Sequence, residues 1–175
     1  PTAELLLRRE LEHRGLDVAV ASAGLRTEAG IPIERHAARA LHELGVLDTD
    51  AFRSRPFSVD LAGADLVLTA TTAQRDDLAR LAPVARDRTF AWRELLALGQ
   101  EPVAPAGVAA SERIADLLHQ LRGRRGLVTS ASDVDVPDPI GRSSRFFART
   151  AHDIAADMSA VADLLAASLG PTHRA

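Results

Sequence analysis

Ala64-Asp65-Leu66-Val67-Leu68-Thr69, followed closely by Thr71-Thr72-Ala73-Gln74, is the stretch that decides the fold of this chain. An apolar run of strand length reads as a strand buried in a parallel sheet. Thr71 with Gln74 three residues later has the form of a capping box, the signal that opens a helix. That helix runs through Leu78 and Leu81 and stops at Pro83. Strand, cap and helix in direct succession are the repeating unit of an α/β fold.

Upstream, Asp17-Val18-Ala19-Val20-Ala21-Ser22 reads as a second short buried strand, and Ala23-Gly24 turns the chain. Pro1-Thr2-Ala3-Glu4 opens a helix with Ala3, Leu6, Leu7 and Leu11 on one face and Arg8, Arg9, Glu10 and Glu12 on the other, ended by Gly15. A helix beginning without a cap aims backbone N–H groups at its entrance and is a ready anion site. Ile31-Pro32-Ile33-Glu34 starts a further helix carrying Ile33, Ala37, Ala40, Leu41 and Leu44 at the 3.6 period, with Gly45 as its stop. A helical turn is expected over Ser58-Val59-Asp60-Leu61-Ala62.

Downstream, Arg88-Thr89-Phe90-Ala91-Trp92 reads as a third short strand, and residues 111–122 as a helix with Ile114, Leu117, Leu118 and Leu121 facing inward. Two prolines in Asp133-Val134-Asp135-Val136-Pro137-Asp138-Pro139-Ile140-Gly141 forbid regular structure, so three carboxylates share a loop. A long final helix places Phe147, Ala151, Ile154, Met158, Val161 and Leu165 alternately four and three apart. This is the spacing of a coiled-coil seam or of one helix covering an open sheet, and the second is the expectation. The whole predicts one domain, a doubly wound parallel sheet whose ligands bind at the carboxyl ends of the strands.

Composition narrows the function. Twenty-one basic residues, every one an arginine, face 24 acidic ones for a net charge of −3, which offers no electrostatic case for nucleic acid or a membrane surface. The apolar runs fall short of the roughly 18 to 20 residues a span needs, and the chain reads as soluble and cytoplasmic. Cysteine is absent, which removes disulfides, thiolate metal ligands and a cysteine nucleophile from these 175 residues. His13, His36, His42, His119, His152 and His173 share no ligand spacing, so no metal is implied.

Pro1-Thr2-Ala3-Glu4, Ser22-Ala23-Gly24, Ala64-Asp65-Leu66-Val67-Leu68 and Asp135-Val136-Pro137-Asp138-Pro139 together resemble, in order and at about the usual spacing, the low-molecular-weight protein tyrosine phosphatases. The resemblance implies an α/β fold, a doubly wound parallel sheet of about four strands with helices on both faces, three of the strands lying in this sequence. It also implies hydrolysis of a phosphorylated protein or small phosphomonoester through a cysteinyl-phosphate, without a cofactor. The family's Cys-x5-Arg nucleophile loop ends just before the position matching Pro1, so the chain is expected to be N-terminally incomplete. On this resemblance Asp138 is the general acid. Pro1, Thr2 and Ser22 support the phosphate loop, and Ile140 and Gly141 line the cleft. Asp138 also fits a turn-capping role before proline, and Ser22 an ordinary strand-end hydroxyl.

Asp133 and Asp135 resemble the Asp-x-Asp of magnesium-dependent aspartate-nucleophile phosphatases only weakly. The apolar run before them is short, and the lysine those enzymes use is missing. Ile140 stands where the family usually has an aromatic, and the tryptophan often found after Ser-Ala-Gly is missing from residues 25–30, which puts phosphotyrosine stacking in question. Arg142, Arg145 and Arg149 read either as an anion attractor near the cleft or as a solvated helix face. The alternative to a phosphatase is a pseudophosphatase that keeps the fold as a binding or regulatory module; arsenate reduction, a third reading, also needs cysteines. Direct pairing of Asp17–Ser22 with Ala64–Thr69 is the feature that would favour the pseudophosphatase.

Overall fold

A computed structural model describes residues 1–59, 63–127 and 134–170. Asp60, Leu61 and Ala62 of the expected helical turn, residues 128–132, Asp133 and His173 lie outside them. Among the described residues six α-helices and two strands follow in the order α1 Thr2–His13, α2 Arg35–Glu43, β1 Val67–Thr69, α3 Thr72–Leu81, β2 Thr89–Ala91, α4 Trp92–Leu98, α5 Ala110–Gly123 and α6 Ser144–Leu169. Contacts group them into two compact units, Pro1–Phe57 with Pro137–Ala162, and Ser58–Val136 with Asp163–Ala175.

In the second unit β1 and β2 are parallel, with Val67 opposite Thr89, Leu68 opposite Phe90 and Thr69 opposite Ala91. α3 is the crossover between them, and its start follows the sequence signal: Thr71 Oγ1 accepts from Gln74 N at 3.1 Å, while Gln74 Oε1 accepts from Ala70 N at 3.0 Å. The core here takes the apolar face of α5, Ile114, Leu117, Leu118 and Leu121, together with Phe90, Leu95 and Leu98. Glu94 lies buried among them. Its carboxylate accepts from Arg75 Nη1 at 2.7 Å and from Ala91 N at 3.2 Å, and Arg125 Nε stands 3.3 Å away. Burial pushes the Arg125 guanidinium below its ordinary range, with Glu94 pulling the other way.

In the first unit Leu6, Leu7 and Leu11 of α1 are buried, with Ala40 and Leu41 of α2 and Phe147, Ala151, Ile154, Met158 and Val161 of α6. The same stripe of α6 continues to a buried Leu165 in the second unit. Arg14 joins α1 to α6, donating from Nη2 to Ser159 Oγ at 3.0 Å and from Nη1 to Glu10 at 2.7 Å. That hydrogen bond holds the Glu10 carboxyl below the usual carboxylate range against a partial burial that pushes it up. Two histidines are structural: His36 lies 5.5 Å from the Phe147 ring, and His42 Nε2 shares a hydrogen bond of 2.8 Å with Thr49 Oγ1.

The α/β class holds, but the strand count is corrected. Asp17–Ser22 forms no strand among the described residues, and the sheet has two strands where three were expected. An apolar run shows only that a segment can be buried, whereas a strand also needs a neighbour to take its N–H and C=O groups. Here Val18 is 36% exposed, and the carbonyl of Val20 accepts instead from Arg8 Nη2 at 3.0 Å. β1 likewise pairs with β2 alone among the described residues.

Candidate functional site

The entrance of α1 carries no side-chain cap, so its first N–H groups meet no side-chain acceptor. Pro1 and Thr2 form that entrance, and Ser22 is tied to the same turn through Glu4, a residue to which the sequence alone assigned no individual role. Glu4, in the first turn, is 6% exposed. Its Oε2 accepts from Ser22 Oγ at 2.5 Å, and its Oε1 from Arg8 Nη2 at 2.7 Å. Arg55 Nη2 stands 3.6 Å from the same oxygen. A carboxylate near a helix N-terminus is favoured by the macrodipole, and this one also clamps two loops onto α1. Ser22 is thereby held against the first turn of α1, its hydroxyl donating to Glu4.

Past Ser22 the chain is held by residues 52–57. Gly24 N donates to Arg55 O at 2.8 Å, Phe57 N donates to Gly24 O at 2.9 Å, and Gly24 bridges Pro56 in parallel. A Cβ at Gly24 would sit 2.6 Å from Thr27 Cγ2, so any larger residue in the Ser-Ala-Gly turn would make the Thr27 side chain shift. Replacing Glu4 by alanine should lower unfolding free energy by about 2 kcal/mol, because two hydrogen-bond donors, Ser22 and Arg8, and the nearby Arg55 guanidinium lose one buried carboxylate. Glu4→Gln should cost less. Urea titration of the two variants is the check, and equal, negligible losses would show that the clamp carries no stability.

Asp138 sits on an exposed turn of the same unit. Its Oδ1 accepts from Ile140 N at 3.0 Å, Arg142 N donates to Pro139 O at 3.0 Å, and Gly141 adopts φ +77°, a conformation that costs glycine little. The turn-capping role foreseen for Asp138 is thus present, but it occupies one oxygen; Oδ2 has no hydrogen-bond partner among the described residues. Ile140 projects into solvent at 74% exposure.

Asp135 has a different task. Its Oδ1 accepts from Thr72 N at 2.7 Å and its Oδ2 lies 3.4 Å from Thr72 Oγ1, so it caps α3, while Val136 N donates to Ala70 O at 2.9 Å. These bonds hold Asp135 and Val136 against the segment that joins β1 to α3. No sequence signal joins Thr72 to Asp135 across so many intervening residues. Glu94 could have been found, since it stands three residues past Ala91 in the position of a capping-box acid.

A model of the family described as low molecular weight phosphotyrosine protein phosphatase matches residues 1–101. The chain belongs to that family. Solved structures share the phosphatase fold. A YwlE mutant from Bacillus subtilis matches at 24% identity over 93% of this chain and 87% of that one, with a TM-score of 0.69. The solution structure of a low molecular weight protein tyrosine phosphatase from Bacillus subtilis matches at 25% identity over 94% and 87%, with a TM-score of 0.68. The tyrosine phosphatase Wzb from Escherichia coli K30, solved in complex with sulphate, matches at 21% identity over 93% and 87%, with a TM-score of 0.64. Among curated proteins no relative matches. As a phosphatase-family chain it departs from the cysteinyl mechanism in one respect, the absence of any cysteine in its 175 residues. Among the described residues no group of three or more His, Asp or Glu converges to hold a metal, and no helix is long and apolar enough to cross a membrane.

Proposed function

We propose that residues 1–175 form one phosphatase-like domain of a cytoplasmic phosphomonoester hydrolase, to which this chain contributes the general acid and the anion-binding helix entrance. The attacking thiolate comes from a cysteine outside the 175 residues. The observation that carries the reading is the Asp138 turn: an exposed carboxylate with one oxygen held by Ile140 N and the other open to a proton partner. In the first step the thiolate attacks phosphorus and forms the S–P bond. The O–P bond to the substrate breaks, and the leaving oxygen takes its proton from Asp138. In the second step a water attacks the cysteinyl-phosphate, gives its proton to the Asp138 carboxylate, and the S–P bond breaks to release phosphate and thiolate. Pro1, Thr2 and the Glu4-anchored Ser22 hold the entrance against which the phosphoryl oxygens bind.

Nothing in the described residues favours a free-standing pseudophosphatase over this reading. The 175-residue chain is expected to release no phosphate from a small aryl phosphate, and joining it to a strand and a Cys-x5-Arg loop ahead of Pro1 is expected to create that activity. Phosphate release at neutral pH measures both. Turnover by the 175 residues alone would overturn the mechanism. Two of the similar solved structures are YwlE arginine phosphatases, from unstated and Geobacillus stearothermophilus sources, so phosphoarginine is tested beside phosphotyrosine. The exposed Ile140, which offers no aromatic face for stacking, gives that comparison its point.

A further inference from the structure

The start of α6 breaks the rule that governs helix entrances. A helix N-terminus favours acids and disfavours cations, yet the first turn of α6 holds no acid, and Arg145 and Arg149 stand i, i+4 on it with Arg142 just ahead. Like charges at that spacing repel, and the helix dipole adds to the cost. The arrangement is maintained all the same. Arg142 Cζ lies 5.8 Å and Arg149 Cζ 4.9 Å from the centroid of Phe146, so the ring holds two guanidiniums close together. All three arginines are exposed, and none forms an ion pair among the described residues. By contrast Arg8, Arg14, Arg39, Arg75 and Arg80 all face carboxylates. From Pro139 to Ala151 no acid intervenes, in a chain whose net charge is −3. Natural sequences accept such local conflicts chiefly where a site gains from them.

Ile140, 74% exposed, lies between this cluster and Asp138 along the chain. We infer that Arg142, Arg145 and Arg149 form a docking patch for acidic residues flanking the phosphorylated residue of a protein substrate. The patch makes that substrate a phosphoprotein with a local run of Asp or Glu, in preference to a small phosphomonoester. Charge complementarity selects the partner: three unpaired cations beside an exposed apolar side chain suit an acidic peptide segment. For the phosphoryl group the inference rests on the phosphatase reading, but for the acidic neighbours it rests on the arginines alone.

Fluorescence anisotropy with the 175-residue chain tests it, using a phosphotyrosine peptide flanked by three glutamates, its glutamine counterpart, and the unphosphorylated form of each. At low salt the glutamate peptides should bind about tenfold tighter than the glutamine ones, and the difference should shrink once salt screens charges beyond about 8 Å. The triple variant Arg142→Gln, Arg145→Gln, Arg149→Gln should erase the preference without lowering the thermal midpoint, since these charges oppose the helix. An equally discharged control, Arg35→Gln, Arg39→Gln, Arg80→Gln, should keep the preference. Equal or undetectable binding of glutamate and glutamine peptides overturns the patch. So does a single-stranded oligonucleotide of the same charge binding as tightly, because that marks a general polyanion surface. If glutamate preference persists while phosphorylation makes no difference, the patch stands, because the Cys-x5-Arg loop that would hold the phosphoryl group is supplied from outside the 175 residues; the phosphatase reading is tested separately, by phosphate release from the joined protein.

Discussion

Asp138→Asn in a protein that joins this chain to its nucleophile loop lowers turnover of an unactivated aryl phosphate by about 10² to 10³-fold, within the range that general acids supply. The substitution changes little else. Asparagine keeps the side-chain oxygen that accepts from Ile140 N, so the turn ending at Gly141 persists and the protein folds as before. What it removes is the proton that the open Oδ2 would deliver to the leaving oxygen. The loss should therefore shrink steeply as the leaving group becomes more acidic, because an oxygen that is stable as an anion needs no proton in the transition state. Turnover measured across a series of aryl phosphates separates this from a structural defect. A loss independent of leaving group would assign Asp138 to the turn alone and remove it from the chemistry.

Phe90→Ala is expected to cost about 4 kcal/mol of unfolding free energy, near the middle of the range for emptying a fully buried aromatic site. Phe90 is 0% exposed at the centre of β2, opposite Leu68 on β1. Its ring also covers a charge. Arg125 Cζ lies 4.3 Å from the ring centroid, Arg125 Nη2 donates to Thr89 O at 2.6 Å, and burial already disfavours that guanidinium. Truncation leaves both a cavity and a cation with a poorer surround, and two short strands have few other contacts with which to compensate. Phe90→Leu should lose much less, since it refills most of the volume. Denaturant titration of the two variants is the measurement. A Phe90→Ala loss below about 1.5 kcal/mol would mean that the site collapses around the smaller residue and the ring is not what holds β2 in place.

These two sites also differ in how far they could be read in advance. Phe90 was visible as part of a strand, but the arginine stacked on it comes from a turn after α5, and nothing in the local pattern announces it. Asp138 was visible on a loop because the prolines on either side of it forbid regular structure, and its role as an acid came only with the family resemblance. The openness of its Oδ2 became apparent only with the surrounding hydrogen bonds. The buried pairing of Glu4 and Glu94 was not foreseen for a common reason. A charged residue in an amphipathic pattern reads as facing water, and only the positions of distant arginines show that its carboxylate can be buried and paired.

The sequence by itself determined the inward faces of α5 and α6 and the start of α3: all six apolar positions read on α6 are buried, as are the four on α5, and Thr71 caps α3 as its spacing requires. Helices are legible because their hydrogen bonds close within a few residues and their buried stripe repeats with a short period. Tertiary structure alone decided which extended segments became strands and what each carboxylate binds. Val67–Thr69 found Thr89–Ala91, while Asp17–Ser22 gave its Val20 carbonyl to an arginine instead. A strand's partners, like those of a buried acid, lie far along the chain, and residues that meet only after folding leave no periodic trace before it.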